Sequence, residues 1–342
     1  MQNNFLIGKN LAELQEICAE LNMPKFTAKQ IAEWLYVKRA KSFAEMTNIS
    51  AKNRELLTEK FSIGLQEYSL VSQSEDGTKK YLFKTSNGNI ESVYIPENER
   101  HSLCVSCQVG CKMDCSFCMT GKMGFLGNLS ANEIINQIFM IDESEKLTNL
   151  IFMGMGEPFD NITQIIKALD ILTASWGLAM SPRRITVSSV GLMSGMKEFL
   201  NKTDCHLAIS LHNPFSIGRQ EMMPVEKAFP IENIVAELKK HDFAHQRRIS
   251  FEYILFEGIN DTPRHALGVV KLLKNLPCRV NLIRFHKVEG LDLHSPSMQK
   301  MEEFRDYLSD NHIICTIRRS RGEDISAACG QLSSGLTKNL RK

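Results

Sequence analysis

Apolar residues recur at helical spacing through residues 9 to 61: Leu11, Leu14, Ile17, Cys18 and Leu21 share one face, and Ile31, Trp34 and Leu35 follow in a second run. Thr27-Ala-Lys-Gln30 has capping-box form just ahead of that second run, so a helix is predicted to start there. Both runs together predict a small helical bundle. From about Glu67 the period shortens to two, with Tyr81, Phe83 and then Ser92-Val-Tyr-Ile95, punctuated by Asp76-Gly77 and Asn87-Gly88. That rhythm predicts an antiparallel hairpin or meander.

Beyond Cys104, short apolar runs alternate with amphipathic stretches. Strands are predicted at 103–107, 149–153, 184–189, 206–211, 250–255, 279–285 and 313–318, with helices at 132–139, 162–173, 231–240 and 298–310 among them. The alternation predicts an α/β fold, a parallel sheet with crossover helices closed or partly closed into a barrel. Three units are expected: a helical domain over 1–65, a hairpin linker over 66–95 and a barrel over 96–342. Sites in such folds lie at the carboxyl ends of strands. Polar residues do follow the predicted strands at 154–158, Ser188, Ser210 to His212, His286 and Cys329.

Composition narrows this. With 43% hydrophobic and 23% charged residues, a chain of 342 can bury a large core. No run approaches the ~18 apolar residues of a membrane span, and the start of the chain lacks a signal-peptide pattern, so no membrane role and a cytoplasmic location are expected. Ten cysteines are too sparse for a disulfide scaffold, yet Cys104, Cys107, Cys111, Cys115 and Cys118 crowd together, which points to metal binding or catalysis. Net charge of +2 says little. Its distribution adds two basic segments: Lys25, Lys29, Lys38, Arg39 and Lys41 with Phe26, Trp34 and Tyr36 interleaved, and Arg318, Arg319, Arg321, Lys338, Arg341 and Lys342 near the end. Both suit phosphate contacts, and both suit ordinary solvated faces.

Cys111, Cys115 and Cys118 form a C-x3-C-x2-C triplet. Three thiolates are one short of a closed structural zinc or an electron-transfer cluster, so a cluster held this way keeps an open position suited to radical chemistry. The alternative is a structural site completed by Cys104, Cys107 or a distant histidine. In Met153-Gly-Met-Gly156-Glu157-Pro158 the glycines allow close backbone approach and Glu157 can accept hydrogen bonds from an ammonium group. A capped strand-to-helix turn would account for the same residues.

The triplet, with Phe117 before its last cysteine, resembles the signature of radical S-adenosylmethionine (SAM) enzymes. Together with Cys104-Val-Ser-x-Gln-Val-Gly-Cys111, Gly-Met-Gly156-Glu157-Pro158, Ser210-Leu211-His212 and Arg321-Gly-x-Asp-Ile-x-Ala-Ala-Cys329-Gly-Gln-Leu332, it is similar to the radical SAM RNA methyltransferases that modify adenosine, over nearly the whole chain. The closest subfamily methylates carbon 2 of an adenosine in 23S rRNA, at the peptidyl-transferase centre, and in tRNA, 3′ of the anticodon.

The resemblance implies a partial (β/α)6-type barrel with a small N-terminal RNA-binding helical domain. It implies one 4Fe-4S cluster on Cys111, Cys115 and Cys118, with an open iron for SAM. Cofactor contacts would come from Gly156, Glu157, Ser188, Ser210, Leu211, His212 and His286, the last where relatives usually have asparagine. Cys329 would be methylated by one SAM, and a radical from a second SAM would take hydrogen from the thiomethyl group, whose carbon then adds to the base. Glu91 would accept the proton of the adduct, and Cys104 would resolve it through a transient disulfide with Cys329. A low-potential flavodoxin-type donor and a monomer acting on 23S rRNA and tRNA, not DNA, complete the expectation. Competing readings are a C8-specific enzyme of the same family and a non-enzymatic iron-sulfur or RNA-binding protein. Cys107, where relatives commonly have serine, is read as a spare small residue, and Cys18, Cys205, Cys278 and Cys315 as packing.

Overall fold

The computed structural model describes residues 4–243, 249–286 and 291–332. Its first helix, Leu11–Glu20, is closed by a reciprocal cap: Asn10 Oδ1 accepts from Glu13 N at 3.0 Å and the Glu13 carboxylate from Asn10 N at 2.9 Å. The box expected at Thr27 does not form. Thr27 is buried at the first position of the helix Thr27–Ala32, and its N–H already donates to Pro24 O at 2.9 Å, so the backbone turn supplies what a cap would. That helix runs on through a π turn, Glu33–Val37, and a third, Ala51–Lys60, starts at Ser50. The bundle packs on the helix Ala131–Phe139, where Asn132 Nδ2 donates to Ile7 O at 3.1 Å and Gly64 O at 2.9 Å.

Twelve strands follow among the described residues: β1 Leu70–Gln73, β2 Lys79–Thr85, β3 Gly88–Glu97, β4 Arg100–Cys104, β5 Gln108–Gly110, β6 Phe125–Asn128, β7 Asn149–Phe152, β8 Ile185–Ser189, β9 His206–Ser210, β10 Ile249–Leu255, β11 Cys278–Arg284 and β12 Ile314–Ile317. Ten make one sheet in the order β1-β2-β3-β4-β7-β8-β9-β10-β11-β12. Pairing is antiparallel from β1 to β4 and parallel from β4 onward, with helices in the crossovers. The result is an α/β partial barrel preceded by helices, and the hairpin strands continue its sheet.

Two further expectations are corrected. The first barrel strand stops at Cys104 rather than 107, because the chain then leaves the sheet to form the separate ribbon of β5 and β6. Strict alternation also fails in the hairpin: Lys80 to Phe83 and Ile90 to Tyr94 are buried throughout. One face of the hairpin meets the helix Ala131–Phe139, through Ser92 Oγ donating to Gln137 Oε1 at 2.7 Å. The other meets the segment after β12, through Lys80 Nζ donating to Ser326 O at 3.3 Å.

The sheet does not close on itself, since β1 and β12 are its two edges. Side chains span the gap instead. Ser74 Oγ donates to Asp324 Oδ1 at 2.5 Å, and Gly322 N to Asp76 Oδ2 at 3.0 Å. Beneath, one apolar core runs from Leu14 and Tyr36 in the bundle through Phe139 and Leu172 to Phe251 and Phe304 in the barrel. Among the described residues no helix is long and apolar enough to cross a membrane.

Candidate active site

The loop from Cys111 to Cys118 leaves β5, and it and the residues just after it are pinned by the segment after β9 and the segment after β12. Ser116 N donates to Met222 O at 2.9 Å, Met119 N to Gly330 O at 2.8 Å, and Thr120 Oγ1 to Leu332 O at 2.7 Å. Cys111, Cys115 and Cys118 share the wall of a cavity of about 150 Å³ with Glu157, Ser188, Ser210, His212 and Cys329. Among the described residues no three His, Cys, Asp or Glu side chains gather tightly enough for a single ion. Three cysteine thiols in one cavity wall are the donor type that an iron-sulfur cluster takes. Burial pushes the Cys111 thiol up to about 12 and Cys115 well above its usual value, so iron binding there would displace protons.

Gly156 and Glu157 follow β7. Gly156 has φ +99°, and a Cβ there would lie 2.5 Å from Gln108 Cβ, so only glycine lets the turn press against that side chain. Gln108 fixes the turn in return: its Oε1 accepts from Glu157 N at 2.8 Å and its Nε2 donates to Asp160 Oδ2 at 2.7 Å. Glu157 accepts from Phe159 N and Val190 N, each at 2.9 Å. Burial still raises its carboxyl to about 7 against these bonds and that of Ser189. Three of its roughly four acceptor positions are thus filled, and the remaining one is left for a ligand donor.

Across the cavity, His212 takes φ +51° at the end of β9. Its Nδ1 accepts from Ile254 N at 3.0 Å, which leaves the ring proton on Nε2. Burial, with Arg219 nearby, lowers its pKa to about 3, so the ring is neutral. Arg219 is itself fully buried and ties the strand ends together. Its guanidinium donates to Val190 O at 2.9 Å, Ser210 O at 2.8 Å and Leu211 O at 3.2 Å, and pairs with Glu226. Leu211 contributes that carbonyl while its side chain is buried in the core.

A second cavity of about 350 Å³ opens behind the first, and Met153, Glu252, Ile283 and Cys329 line both. Cys104, at the end of β4, is in its wall. Burial, reinforced by Cys329, pushes the Cys104 thiol to about 12, and Arg318 opposes the shift. Cys329 is exposed to this space, its thiol raised by the surrounding low-dielectric walls and lowered in part by Arg318. Arg318 Nη1 lies 3.4 Å from Glu252 Oε2, while Glu252 Oε1 accepts from Asn281 Nδ2 at 2.8 Å. Among the described residues, Arg100, Arg279, Arg284, Arg318, Arg319 and Arg321 line the cavity against only Glu97 and Glu252 as acids.

Comparison with known proteins decides the family. Residues 4–63 match the family model described as ribosomal RNA large subunit methyltransferase N-terminal domain, and 105–268 match the radical SAM superfamily. A Phocaeicola vulgatus protein named probable dual-specificity RNA methyltransferase RlmN is 56% identical over 330 residues, covering 96% of this chain and 95% of its own. The chain belongs to the RlmN family. A Geotalea uraniireducens member, named dual-specificity RNA methyltransferase RlmN, is 40% identical and covers 97% of each chain. The crystal structure of a radical SAM methyltransferase from Sphaerobacter thermophilus superposes with a TM-score of 0.89 at 36% identity, covering 96% of this chain and 99% of that one. This is therefore an RlmN-type radical SAM RNA methyltransferase, and membership implies SAM and an iron-sulfur cluster.

Within this RlmN-type site, two further expected residues, His286 and Glu91, lie apart from the triplet. His286 lines the arginine-rich cavity, its Nδ1 3.3 Å from Glu323 Oε2. Glu91 is fully buried on β3, paired with Lys80 at 3.4 Å, and is in neither wall among the described residues. Cys107 is packed in the core, as are Cys18, Cys205, Cys278 and Cys315. In the N-terminal domain Tyr36 is buried with its hydroxyl on Lys9 O at 2.5 Å, whereas Phe26 is 64% exposed and Lys38 Nζ rides 4.1 Å over the Trp34 ring. Lys338, Arg341 and Lys342 lie outside the described residues. Arg219, Glu252 and Lys80 escape a reading by motif, and Gln108 lies within the Cys104 to Cys111 motif without a role being legible there. Only the unusual placing of a carboxylate inside an apolar run marks Glu252.

Proposed function

We propose that this chain methylates carbon 2 of an adenosine in 23S rRNA, at the peptidyl-transferase centre, and in tRNA, 3′ of the anticodon, with Cys329 as the methyl carrier. The observation that carries the reading is that Cys329 lines both cavities, facing Cys111, Cys115 and Cys118 on one side and Cys104 on the other. Carbon 2 of adenine is electrophilic and does not attack a sulfonium methyl, so a thiolate must first take the group.

In this reading Cys111, Cys115 and Cys118 hold one 4Fe-4S cluster, which supplies the electron for reductive cleavage of bound SAM. Glu157 accepts from the ammonium of the methionine portion beside Gly156, while Ser188, Ser210 and the Nε2–H of His212 supply further polar contacts from the opposite wall. Leu211 acts through its backbone, and His286 reaches the cofactor from the second cavity. Two SAM are used per turnover, one to load Cys329 and one to activate its methyl. Glu91 accepts the proton of the RNA adduct, and Cys104 forms a transient disulfide with Cys329 as product leaves. The arginine-lined cavity suits phosphates flanking an unpaired or flipped adenosine. A flavodoxin-type protein provides the electron, and the enzyme works as a cytoplasmic monomer.

Anaerobically reconstituted enzyme, SAM, reductant and transcribed rRNA and tRNA test the proposal, with the nucleosides separated by mass spectrometry. 2-Methyladenosine is expected. 8-Methyladenosine as sole product, or methyl transfer by the Cys329→Ala variant with a reducible cluster, would overturn it.

A further inference from the structure

Glu91 is buried away from both cavity walls, and what relates it to the Cys329 loop is Lys80. This lysine lies on β2, beside Glu91 in the hairpin, with a side chain only 6% exposed. Its Nζ is 3.4 Å from Glu91 Oε1 and donates to Ser326 O at 3.3 Å, three residues ahead of Cys329. A buried ammonium is tolerated where its charge and its N–H groups are met. Here the carboxylate meets the charge and the carrier loop meets a donor.

The loop contact is held from several sides. Ser326 takes φ +51°, a left-handed conformation that a serine keeps only when its surroundings enforce it. Those surroundings are the hairpin tip: Gly322 N donates to Asp76, Ser74 Oγ to Asp324, and Ala327 N closes back on Gly322 O at 2.9 Å.

We propose that Lys80 is a positioning residue that sets the Glu91 carboxylate and the Cys329 loop in one fixed relation. The inference rests on the reading of Glu91 as proton acceptor and Cys329 as carrier. Lys80 lines neither cavity among the described residues and acts through those two elements. Its removal therefore impairs release of methylated RNA and leaves SAM cleavage intact.

The test follows 5′-deoxyadenosine, covalent protein–RNA adduct and methylated RNA through a single turnover of the reconstituted holoenzyme carrying methylated Cys329. Glu91→Gln is expected to slow release about a hundredfold or more. Lys80→Met is expected to slow it about tenfold, to accumulate adduct and to form 5′-deoxyadenosine at the native rate. Lys80→Arg keeps the charge and recovers most of the release rate. The Lys80→Met, Glu91→Gln double variant removes the buried pair together, which protects folding, and is expected to be no slower than Glu91→Gln alone. Additive losses, an arginine variant no better than methionine, or a loss of 5′-deoxyadenosine equal to the loss of product would overturn the coupling. Normal release by Glu91→Gln would instead bring down the proton-acceptor reading, and the coupling with it.

Discussion

Gly322 donates its backbone N–H to Asp76 Oδ2 at 3.0 Å, joining positions 246 apart. Burial raises the Asp76 carboxyl, but bonds from Thr78, the Gly322 N–H and Ser74 outweigh it and hold the group at about 2. A depressed carboxyl stabilises the fold above its unfolded value and loses that contribution as pH falls through the folded one, so the window runs from about pH 4 down to 2. Asp76→Asn should cost about 1 kcal/mol at neutral pH after allowance for its solvent exposure. Urea denaturation across that window should show a shallower acid slope in the variant, and equal slopes would refute the anchor.

Arg219→Met should be far more costly. It strands Glu226 without its partner and unties three strand-end carbonyls, which points to about 3–5 kcal/mol. Denaturant midpoints will measure it. Partial recovery in an Arg219→Met, Glu226→Leu double variant is expected, because the stranded charge goes with the second change.

The buried His212 ring should stay neutral from pH 8 to 5, with unchanged ring shifts by NMR. An unfolded histidine gains its proton near 6.5 while this one resists to about 3. Stability therefore falls with acid between those values, by up to about 1.4 kcal/mol per pH unit. A His212→Asn variant should lack that component of the acid slope.

Gly156→Ala places a Cβ 2.5 Å from Gln108 Cβ at φ +99°. A loss of about 1–3 kcal/mol is expected from the backbone alone. Anaerobic calorimetry should also show weaker SAM binding, and native affinity would mean that the turn is not part of the cofactor site.

Cys104→Ala should leave RNA covalently attached to Cys329, seen as a shifted band on a denaturing gel. Clean turnover by that variant would remove Cys104 from the reaction.

Much of this architecture is legible along the chain because parallel strands buried on both faces leave continuous apolar runs, as at 149–153 and 206–211, and turn residues follow them. The cysteine triplet reads equally well, since its spacing is local. Lys80 and Glu91 do not, because their meaning depends on which strand lies beside which, and the hairpin pattern gives no hint that the loop near Cys329 covers it. Arg219 is hidden for a related reason: its three acceptors are backbone carbonyls, which carry no sequence signature. The absent cap at Thr27 shows the converse, a local motif displaced by a backbone turn at Pro24.

The bond from Thr120 Oγ1 to Leu332 O spans 212 positions. During synthesis at about 5–20 residues per second, the loop of Cys111, Cys115 and Cys118 therefore emerges about 10 to 40 s before the segment that covers it. Throughout that interval the three thiols face the cell on an unfinished barrel. Metal loading during translation would then meet an open rim, and loading after release a closed one, so the timing of cluster delivery relative to chain completion becomes a variable in making active enzyme.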